Sequence, residues 1–182
     1  MRKLKNSELN RKTTEEARSS ERAPFIIVLD NVRSENNVGS VFRTADAFLI
    51  RGIYLCGITG KPPSREIQKT ALGATESVPW KYFSKTVEAI ISLREAGFRI
   101  IAVEQAEGST ELQHFKLNTE KKYALVFGHE VNGVSQEVID MCDECIEIPQ
   151  FGVKHSFNIA VSAGIVLWEL NRLPDPPQMG RA

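Results

Sequence analysis

The sequence predicts an α/β fold in which helices flank a mostly parallel sheet. Short runs of almost continuously apolar residues recur along the chain, which is typical of strands that are buried on both faces. Helical patterns separate these runs, and such alternation is how parallel strands are usually connected. Five runs are predicted strands: Phe25–Asp30, Gly52–Cys56, Arg99–Val103, Tyr123–Gly128 and Cys145–Pro149.

Three helices are predicted between and after these strands. We expect Asn36 or Asn37 to cap the first helix, whose apolar residues share one face: Val38, Val41, Phe42, Ala45 and Phe48. Ser84 is the predicted cap of the second helix and Gly97 its end, around the apolar residues Val87, Ile90, Ile91 and Leu93. The segment Phe157–Leu170 is apolar on almost every side, so we expect this last helix to be deeply buried.

Length and local composition place these elements in one domain. The 182 residues suit a single core, which we assign to residues 23–173. Residues 1–22 hold seven Lys or Arg and four Glu, a net charge of +3. This segment is either a solvated helix or frayed tail, or an arm that contacts phosphates. Residues 174–182, which include three prolines, form a predicted flexible tail.

Bulk properties exclude several classes of protein. No stretch approaches the roughly 18 consecutive apolar residues of a membrane span, and we see no secretory signal. Three cysteines, an odd and small number, indicate a reducing compartment, so we expect a cytoplasmic protein. The net charge is +0, and any surface that binds a polyanion must therefore be local.

Common nucleotide and metal motifs are also excluded. No G-x-G-x-x-G follows the first strand, which argues against a dinucleotide site. Gly57–Lys61 is not a phosphate loop, because its glycines are too close together and Pro62 replaces the hydroxyl residue. Cys142 and Cys145 form a lone C-x-x-C that lacks the two further ligands of a zinc site, so we expect both cysteines to be structural and no metal to be bound.

Polar residues and glycines concentrate in three segments that follow predicted strands, where ligands bind in α/β sheets. The segment 31–48 carries Arg43, and its pattern leaves open whether this is a surface arginine or a functional one. The segment 126–135 carries Glu130 just beyond a buried strand. The segment 148–165 carries Ser156 and Asn158 at the start of the apolar helix; Ser156 could cap that helix, whereas Asn158 is harder to explain as a cap.

Together the three segments resemble the motifs of the SpoU-type (TrmH-like) family of RNA 2′-O-ribose methyltransferases, within the SPOUT superfamily. The first segment carries the family's spacing from Asn37 to Arg43. The second carries its G-x-E as Gly128–Glu130, and the third its S-[LF]-N as Ser156–Asn158. The resemblance extends over residues 25–170, and three ordered motifs make it far more specific than any one of them.

The resemblance implies a parallel-sheet fold with a C-terminal deep trefoil knot, and a homodimer that completes the active site. It implies S-adenosylmethionine as the cofactor and RNA, either tRNA or rRNA, as the partner. The implied cofactor-binding residues are Phe127, Gly128, Ile148, Pro149 and Phe157. The implied catalytic set is Arg43, Asn37, Glu130, Ser156 and Asn158.

Arginine chemistry constrains the mechanism that the resemblance implies. A guanidinium group stays protonated in proteins, which argues against Arg43 as a general base. We expect Arg43 instead to stabilise the developing alkoxide and to anchor the neighbouring phosphate. The other members of the set would position Arg43 and the ribose, namely Asn37, Glu130, Ser156 and Asn158.

The sequence leaves alternatives open for both the RNA substrate and the type of activity. The run VEQAEGSTEL and the two segments after it look similar to the tRNA-directed branch, so tRNA is slightly favoured over rRNA. His129 and Phe157 depart from the family, which more often has asparagine or serine and leucine at these positions. A non-catalytic RNA-binding protein that retains the knotted fold is the main alternative. A base-directed methyltransferase is disfavoured, because Asn37, Arg43 and Asn158 occur together.

Overall fold

A parallel sheet forms the centre of the protein in the computed structural model, which describes residues 1–9, 11–153 and 156–172. Its strands are β1 (Ala23–Asp30), β2 (Ile50–Cys56), β3 (Trp80–Phe83), β4 (Phe98–Val103), β5 (Thr110–Glu111), β6 (Lys122–Phe127) and β7 (Glu144–Glu147). They lie in the order β3-β2-β1-β6-β4-β7-β5, and each pair of neighbours is parallel. The predicted α/β class and parallel sheet are confirmed.

Helices cover both faces of this sheet. They are α1 (Thr14–Ser19), α2 (Glu35–Ala47), α3 (Arg65–Ala71), α4 (Ala74–Ser77), α5 (Thr86–Glu95), α6 (Gln136–Ile139) and α7 (Ile159–Arg172). Two short 3-10 turns add Asn6–Glu8 and Leu112–His114. Side chains of β1 alternate between the faces: Phe25, Ile27 and Leu29 pack on the side of α2, α3 and α7, and Ile26 and Val28 on the side of α5 and α6.

The five predicted strands are present, with ends that differ by a few residues. Gly128, Ile148 and Pro149 lie beyond the strands to which they were assigned. Sequence reasoning missed β3 and β5. Strand β3 lies at one edge of the described sheet with Lys81 and Tyr82 exposed, so it forms no apolar run. Strand β5 has only two residues, too few for a pattern.

Both predicted helix caps are wrong. Helix α2 is capped by Ser34, whose Oγ accepts a hydrogen bond from the Asn37 main-chain N–H at 3.3 Å, and not by Asn36 or Asn37. Helix α5 follows Lys85, which makes no side-chain cap hydrogen bond, while the Ser84 hydroxyl donates to Glu88 at 2.9 Å. In both cases several polar residues precede the helix, and periodicity alone does not select among them.

The deep burial predicted for the last helix is only partly correct. Helix α7 begins at Ile159, and one side of it is buried through Ile159, Ala163, Val166, Leu167 and Leu170. The other side carries Val161 and Trp168, which are 49% and 64% exposed. The apolar residues on both sides of α7 therefore have different surroundings: one side packs on the domain, and the other is left exposed.

The N-terminal segment contacts the ends of the strands opposite to the three polar segments. Helix α1 begins with a capping box formed by Thr13 and Glu16. Arg18 donates to the carbonyl of Glu76 at 2.8 Å. Arg22 donates to three main-chain carbonyls, those of Ala17, Ile50 and Ser77. Two basic residues thus hold the segment on the domain, and phosphate contact by the remaining ones stays a prediction.

The predicted tail, residues 174–182, lies outside the described residues, as does residue 173 at the predicted end of the domain. Within the described ranges, no helix combines the length and the apolar character needed to span a bilayer.

The close approach of α2 and α3 predicts that even one added methyl group at Gly39 is destabilising. A Cβ atom at Gly39 would lie 2.1 Å from Thr70 Oγ1 and 2.3 Å from the Ile67 carbonyl oxygen. Alanine is favoured over glycine in a helix by roughly 1 kcal/mol, but overpacking costs about 1–3 kcal/mol. We expect Gly39→Ala to lower the free energy of unfolding by about 1–2 kcal/mol, as measured by urea denaturation. An unchanged or raised free energy of unfolding would contradict this packing.

Candidate active site

One carboxylate joins two loops that are far apart in the sequence. Glu130 follows β6, and its oxygens accept hydrogen bonds from the main chain where β1 leads into α2. Oε2 accepts from the Arg33 N–H at 3.1 Å and Oε1 from the Ser34 N–H at 3.0 Å. The side-chain amide of Asn37 donates to Oε1 at 3.1 Å. Because Ser34 caps α2, this carboxylate fixes the start of the helix that carries Asn37 and Arg43.

The surroundings of Glu130 favour its charged form. Burial disfavours the carboxylate, but hydrogen bonds from its own main-chain N–H, from those of Arg33 and Ser34, and from Asn37 outweigh that effect. The result is that the pKa of Glu130 lies below its ordinary value. The loop after β6 therefore carries a fixed negative charge at neutral pH.

Asn158 connects the third polar segment to the other two. Its Nδ2 donates to Asn37 Oδ1 at 3.0 Å, while its Oδ1 accepts from the Ala160 N–H at 2.9 Å. The second of these bonds is the contact of a helix cap, since α7 begins at Ile159. Asn158 rather than Ser156 thus caps α7, which corrects the expectation from sequence. Asn37 uses both ends of its amide and forms the centre of the chain Glu130–Asn37–Asn158.

A second carboxylate, which sequence reasoning missed, ties the end of β1 to the starts of α5 and α6. Asp30 ends β1 and is 1% exposed. Its Oδ1 accepts from Thr86, the first residue of α5, and from the Asn31 amide. Its Oδ2 accepts from the Ser135 N–H at 3.0 Å and the Ser135 hydroxyl at 3.1 Å, directly before α6. A charged residue that ends an otherwise apolar strand was the available signal.

A cavity of about 310 Å³ lies beside the carboxylate of Glu130. The loops after β4, β6 and β7 and the start of α7 form its walls. Four residues of the predicted cofactor-binding set line it: Phe127, Gly128, Ile148 and Phe157. Pro149 lies between the lining residues Ile148 and Gln150 without lining the cavity itself. From the predicted catalytic set, Glu130 and Ser156 line it.

The wall contributed by the loop after β4 was also missed. Glu104 lines the cavity, and its carboxylate accepts from the Gln105 N–H and the Val134 N–H, both at 2.9 Å. It therefore ties the end of β4 to the loop after β6. A glutamate that directly follows an apolar strand, as in the run VEQ, was the signal for it. Ser162 of α7 adds a hydroxyl to the same cavity.

Arg43 is not joined to this network. It lies six residues after Asn37, about 9 Å further along the axis of α2 and on a different side of that helix. Its side chain is exposed, and within the described part of the chain it makes no hydrogen bond or ion pair. The structure thus brings Asn37, Glu130 and Asn158 together, places Ser156 at the adjoining cavity and leaves Arg43 apart.

Residues 24–168 match the model of the family described as the SpoU rRNA Methylase family. This match covers most of the chain and includes all three polar segments. The chain belongs to the SpoU rRNA methylase family. The resemblance deduced from the three motifs is therefore confirmed, whereas the roles of the individual residues stay predictions.

Relatives with this fold act on different RNAs. A 23S rRNA (guanosine-2′-O-)-methyltransferase, RlmB, from Neisseria meningitidis is 32% identical over 149 residues, 82% of this chain and 58% of that protein. A tRNA (guanosine(18)-2′-O)-methyltransferase from Aquifex aeolicus is 31% identical over 152 residues, 81% of this chain and 69% of that protein. An AdoMet-bound rRNA methyltransferase from Sinorhizobium meliloti has a TM-score of 0.77 at 32% identity, covering 84% of this chain and 57% of that one. The chain thus spans less than two thirds of the Neisseria and Sinorhizobium proteins.

The C-x-x-C of this SpoU-family chain makes contacts expected of structural cysteines. The Cys142 thiol donates to the Val138 carbonyl, and the Cys145 thiol to the Glu104 carbonyl. Burial is the main cause that raises the pKa of Cys142 to about 12, and it also raises the pKa of Cys145. In the described ranges, no three His, Cys, Asp or Glu side chains lie together as a metal-ligand group.

The hydrogen bonds of Glu130 predict a pH-dependent contribution to stability. Because the folded-state pKa of Glu130 is lowered, its ionised form stabilises the fold above the unfolded-state pKa, and this contribution is lost as pH falls through the folded-state pKa. Glutamine cannot ionise. We expect Glu130→Gln to be less stable than the wild type at about pH 7, with a difference that shrinks towards about pH 3, in urea denaturation followed by circular dichroism.

The control for this experiment is Glu137→Gln on α6, whose side chain is exposed. A surface substitution of this kind should change the free energy of unfolding by no more than about 0.5 kcal/mol. A deficit of Glu130→Gln that stays constant over the whole pH range would mean that the charge of Glu130 does not matter for stability.

Proposed function

We propose that this chain transfers a methyl group from S-adenosylmethionine to a ribose 2′-hydroxyl of a structured RNA. The observation that carries the proposal is the hydrogen-bonded chain Glu130–Asn37–Asn158 beside the cavity of about 310 Å³. It joins the three segments that resemble the family's motifs. The printed names of the relatives from Neisseria meningitidis and Aquifex aeolicus, both guanosine 2′-O-methyltransferases, support the same reaction.

The cavity suits this cofactor in size and chemistry. A volume of about 310 Å³ lies at the lower end of the range for small-molecule sites, roughly 300–1,000 Å³. Phe127 and Ile148 offer apolar surface to an adenine, and the carboxylates of Glu104 and Glu130 bring negative charge towards a positively charged sulfonium. The AdoMet-bound relative from Sinorhizobium meliloti supports the assignment. When bound, the cofactor supplies an electrophilic methyl carbon.

The residues of the chain would align the acceptor and stabilise its charge. Asn37, Ser156 and Asn158 would hold the ribose so that its 2′-oxygen lies in line with the methyl carbon. That oxygen bonds to the methyl carbon as the carbon–sulfur bond breaks, and the hydroxyl proton is released. Arg43 remains protonated throughout, so it would stabilise the negative charge on the oxygen and bind the neighbouring phosphate.

We further propose a homodimer in which the second subunit completes this site. Arg43 lies apart from the other members of the set in its own subunit. Helix α7 packs against α2, the helix of Arg43, and its outer side carries exposed Val161 and Trp168. Phe151 before the helix is 98% exposed. A second copy that covers this apolar surface would lie beside α2, and exposed apolar patches of this kind mark interaction sites.

The course of the chain between β7 and α7 supports the proposed deep trefoil knot. Strand β7 lies beyond β4, yet α7 packs against α2 on the far side of β6. Between them the chain runs past the loop after β6, because Ile148, Gln150 and Phe157 line the same cavity as Gly128–Gly133. A chain that threads through that loop on its way to α7 would be knotted, which is rare among folds.

The identity of the substrate RNA is the most specific part of the proposal, and we favour tRNA slightly over rRNA. The relatives divide between a tRNA and a 23S rRNA enzyme at nearly equal identity. All three cysteines are free thiols, in keeping with a cytoplasmic enzyme. Mass spectrometry of nucleosides from separated tRNA and rRNA of a deletion strain decides the substrate, because only one fraction should lose a ribose-methylated nucleoside.

Replacing Arg43 tests the catalytic part of the proposal. Arg43→Ala should reduce methyl transfer by roughly 10²–10³-fold, because one charge-stabilising donor is lost at the reacting oxygen. Cofactor affinity measured by calorimetry should stay within about threefold, since Arg43 does not line the cavity. The readout is transfer of a labelled methyl group to unmodified tRNA and rRNA.

Arg51→Ala is the matched control, because Arg51 is an exposed arginine near the amino end of β2. It should transfer methyl groups at the wild-type rate. Wild-type activity in Arg43→Ala would mean that Arg43 is not part of the active site. RNA binding by the wild-type chain without cofactor binding would favour the non-catalytic alternative.

The exposed side of α7 predicts a dimer that one charge disrupts. Light scattering should give the wild-type chain a mass of twice 20.4 kDa. Trp168→Glu should shift this mass towards that of the monomer and lower activity, because a carboxylate would be buried in an apolar interface. The control is Ile91→Glu, which changes an exposed apolar residue on α5, 46% exposed against 64% for Trp168. A monomeric wild type, or a dimer unaffected by Trp168→Glu, would contradict the proposed interface.

A further inference from the structure

We infer that His129 is a positioning residue that holds the carboxylate of Glu130 through the turn that both residues share. The inference rests on the proposed methyl transfer, in which Glu130 orients Asn37. It concerns a histidine at a position where the resemblance leads one to expect asparagine or serine, and for which the motifs themselves imply no role.

Glu130 is the first of three residues in a turn that His129 and Gly133 close. The two closing residues exchange main-chain hydrogen bonds, from the His129 N–H at 2.9 Å and from the Gly133 N–H at 2.8 Å. Gly133 has a φ of +66°, which favours glycine, and a Cβ atom there would lie 2.2 Å from the Glu104 carboxylate. The ends of the turn are therefore fixed, whereas Val131 at its tip is 80% exposed.

The imidazole of His129 holds the tip of this turn from inside. Its Nδ1 accepts hydrogen bonds from the main-chain N–H groups of Val131 at 3.0 Å and Asn132 at 3.3 Å. These are the two peptide groups that directly follow Glu130. Because Nδ1 is the acceptor of both bonds, the ring proton of the neutral imidazole lies on Nε2.

The contact matters for the site because Glu130 reaches its partners from this turn. The carboxylate spans from the loop after β6 to the main chain of Arg33 and Ser34 and to the amide of Asn37. If the peptide groups after Glu130 were free to rotate, the carboxylate would lose its fixed direction. Misplacement of a catalytic constellation by about 1 Å can cost on the order of 10²-fold in rate.

Two substitutions separate the hydrogen-bond acceptor from the shape of the ring. His129→Asn keeps an acceptor, because Asn Oδ1 is as many bonds from the main chain as His Nδ1 and bonds readily to main-chain N–H groups two residues on. His129→Phe keeps an aromatic ring and removes the acceptor. The matched control is His114→Phe, since His114 is exposed, lies outside the site and has its Nδ1 3.4 Å from Glu111 Oε2.

The kinetic test compares kcat, the KM for RNA and cofactor affinity among these variants. We expect His129→Phe to lower kcat by about 10- to 100-fold, with the KM for RNA within about threefold of the wild type. Because His129 also lines the cavity assigned to the cofactor, cofactor affinity is measured separately and kcat is taken at saturating cofactor. His129→Asn and His114→Phe should keep kcat within about threefold. The inference is overturned if His129→Phe keeps the wild-type kcat, or if the asparagine variant falls as far as the phenylalanine variant. A loss confined to cofactor affinity would also overturn it, because His129 would then be a cofactor contact.

Amide hydrogen exchange, followed by NMR, tests the turn without any reaction. Exchange at Val131 and Asn132 should be at least tenfold faster in His129→Phe than in the wild type, and close to wild type in His129→Asn. Unchanged exchange in the phenylalanine variant would overturn the inference even if its activity were low. Conversely, a wild-type chain that methylates no RNA would refute the proposed function, while the exchange rates would still decide the role of His129.

Discussion

The carboxylate of Glu130 is the interaction on which the arrangement of the site depends. Its bonds to Arg33, Ser34 and Asn37 close sequence distances of 97, 96 and 93 residues. Because Asn37 passes the connection on to Asn158, one chain of polar groups fixes the loop after β6, the start of α2 and the start of α7. The parallel sheet brings these three ends to one edge, and the polar chain then sets their relative positions.

The sequence predicts the buried centre of the fold well, because strands covered on both faces must be apolar throughout. It fails where burial is one-sided. Strand β3 mixes exposed Lys81 and Tyr82 with apolar residues, and its pairing with β2 is a long-range contact that local patterns do not encode. Helix α7 shows the opposite error: apolar Val161 and Trp168 suggest burial, although nothing in the described chain covers them.

The candidate site was predictable as a set of segments but not as a set of contacts. Three motifs identify the family, yet the choice of Asn158 over Ser156 as the cap of α7 depends on where the helix begins, which periodicity leaves uncertain by a few residues. Asp30 was missed because its partners Thr86 and Ser135 lie 56 and 105 residues away in the sequence. Glu104 was missed because its partners are main-chain N–H groups of loops. Such donors exist in every sequence, and only the folded loops bring them to particular carboxylates.

The four donors that surround the Glu130 carboxylate have a consequence for where the proton of the reaction can go. Each lone pair that accepts an N–H is unavailable to a substrate hydroxyl, and a carboxylate with a lowered pKa is a weak Brønsted base. Glu130 is therefore suited to alignment and unsuited to proton abstraction. In the proposed methyl transfer, neither Glu130 nor Arg43 would therefore take up the proton of the ribose hydroxyl, which would be released to water as negative charge develops on that oxygen.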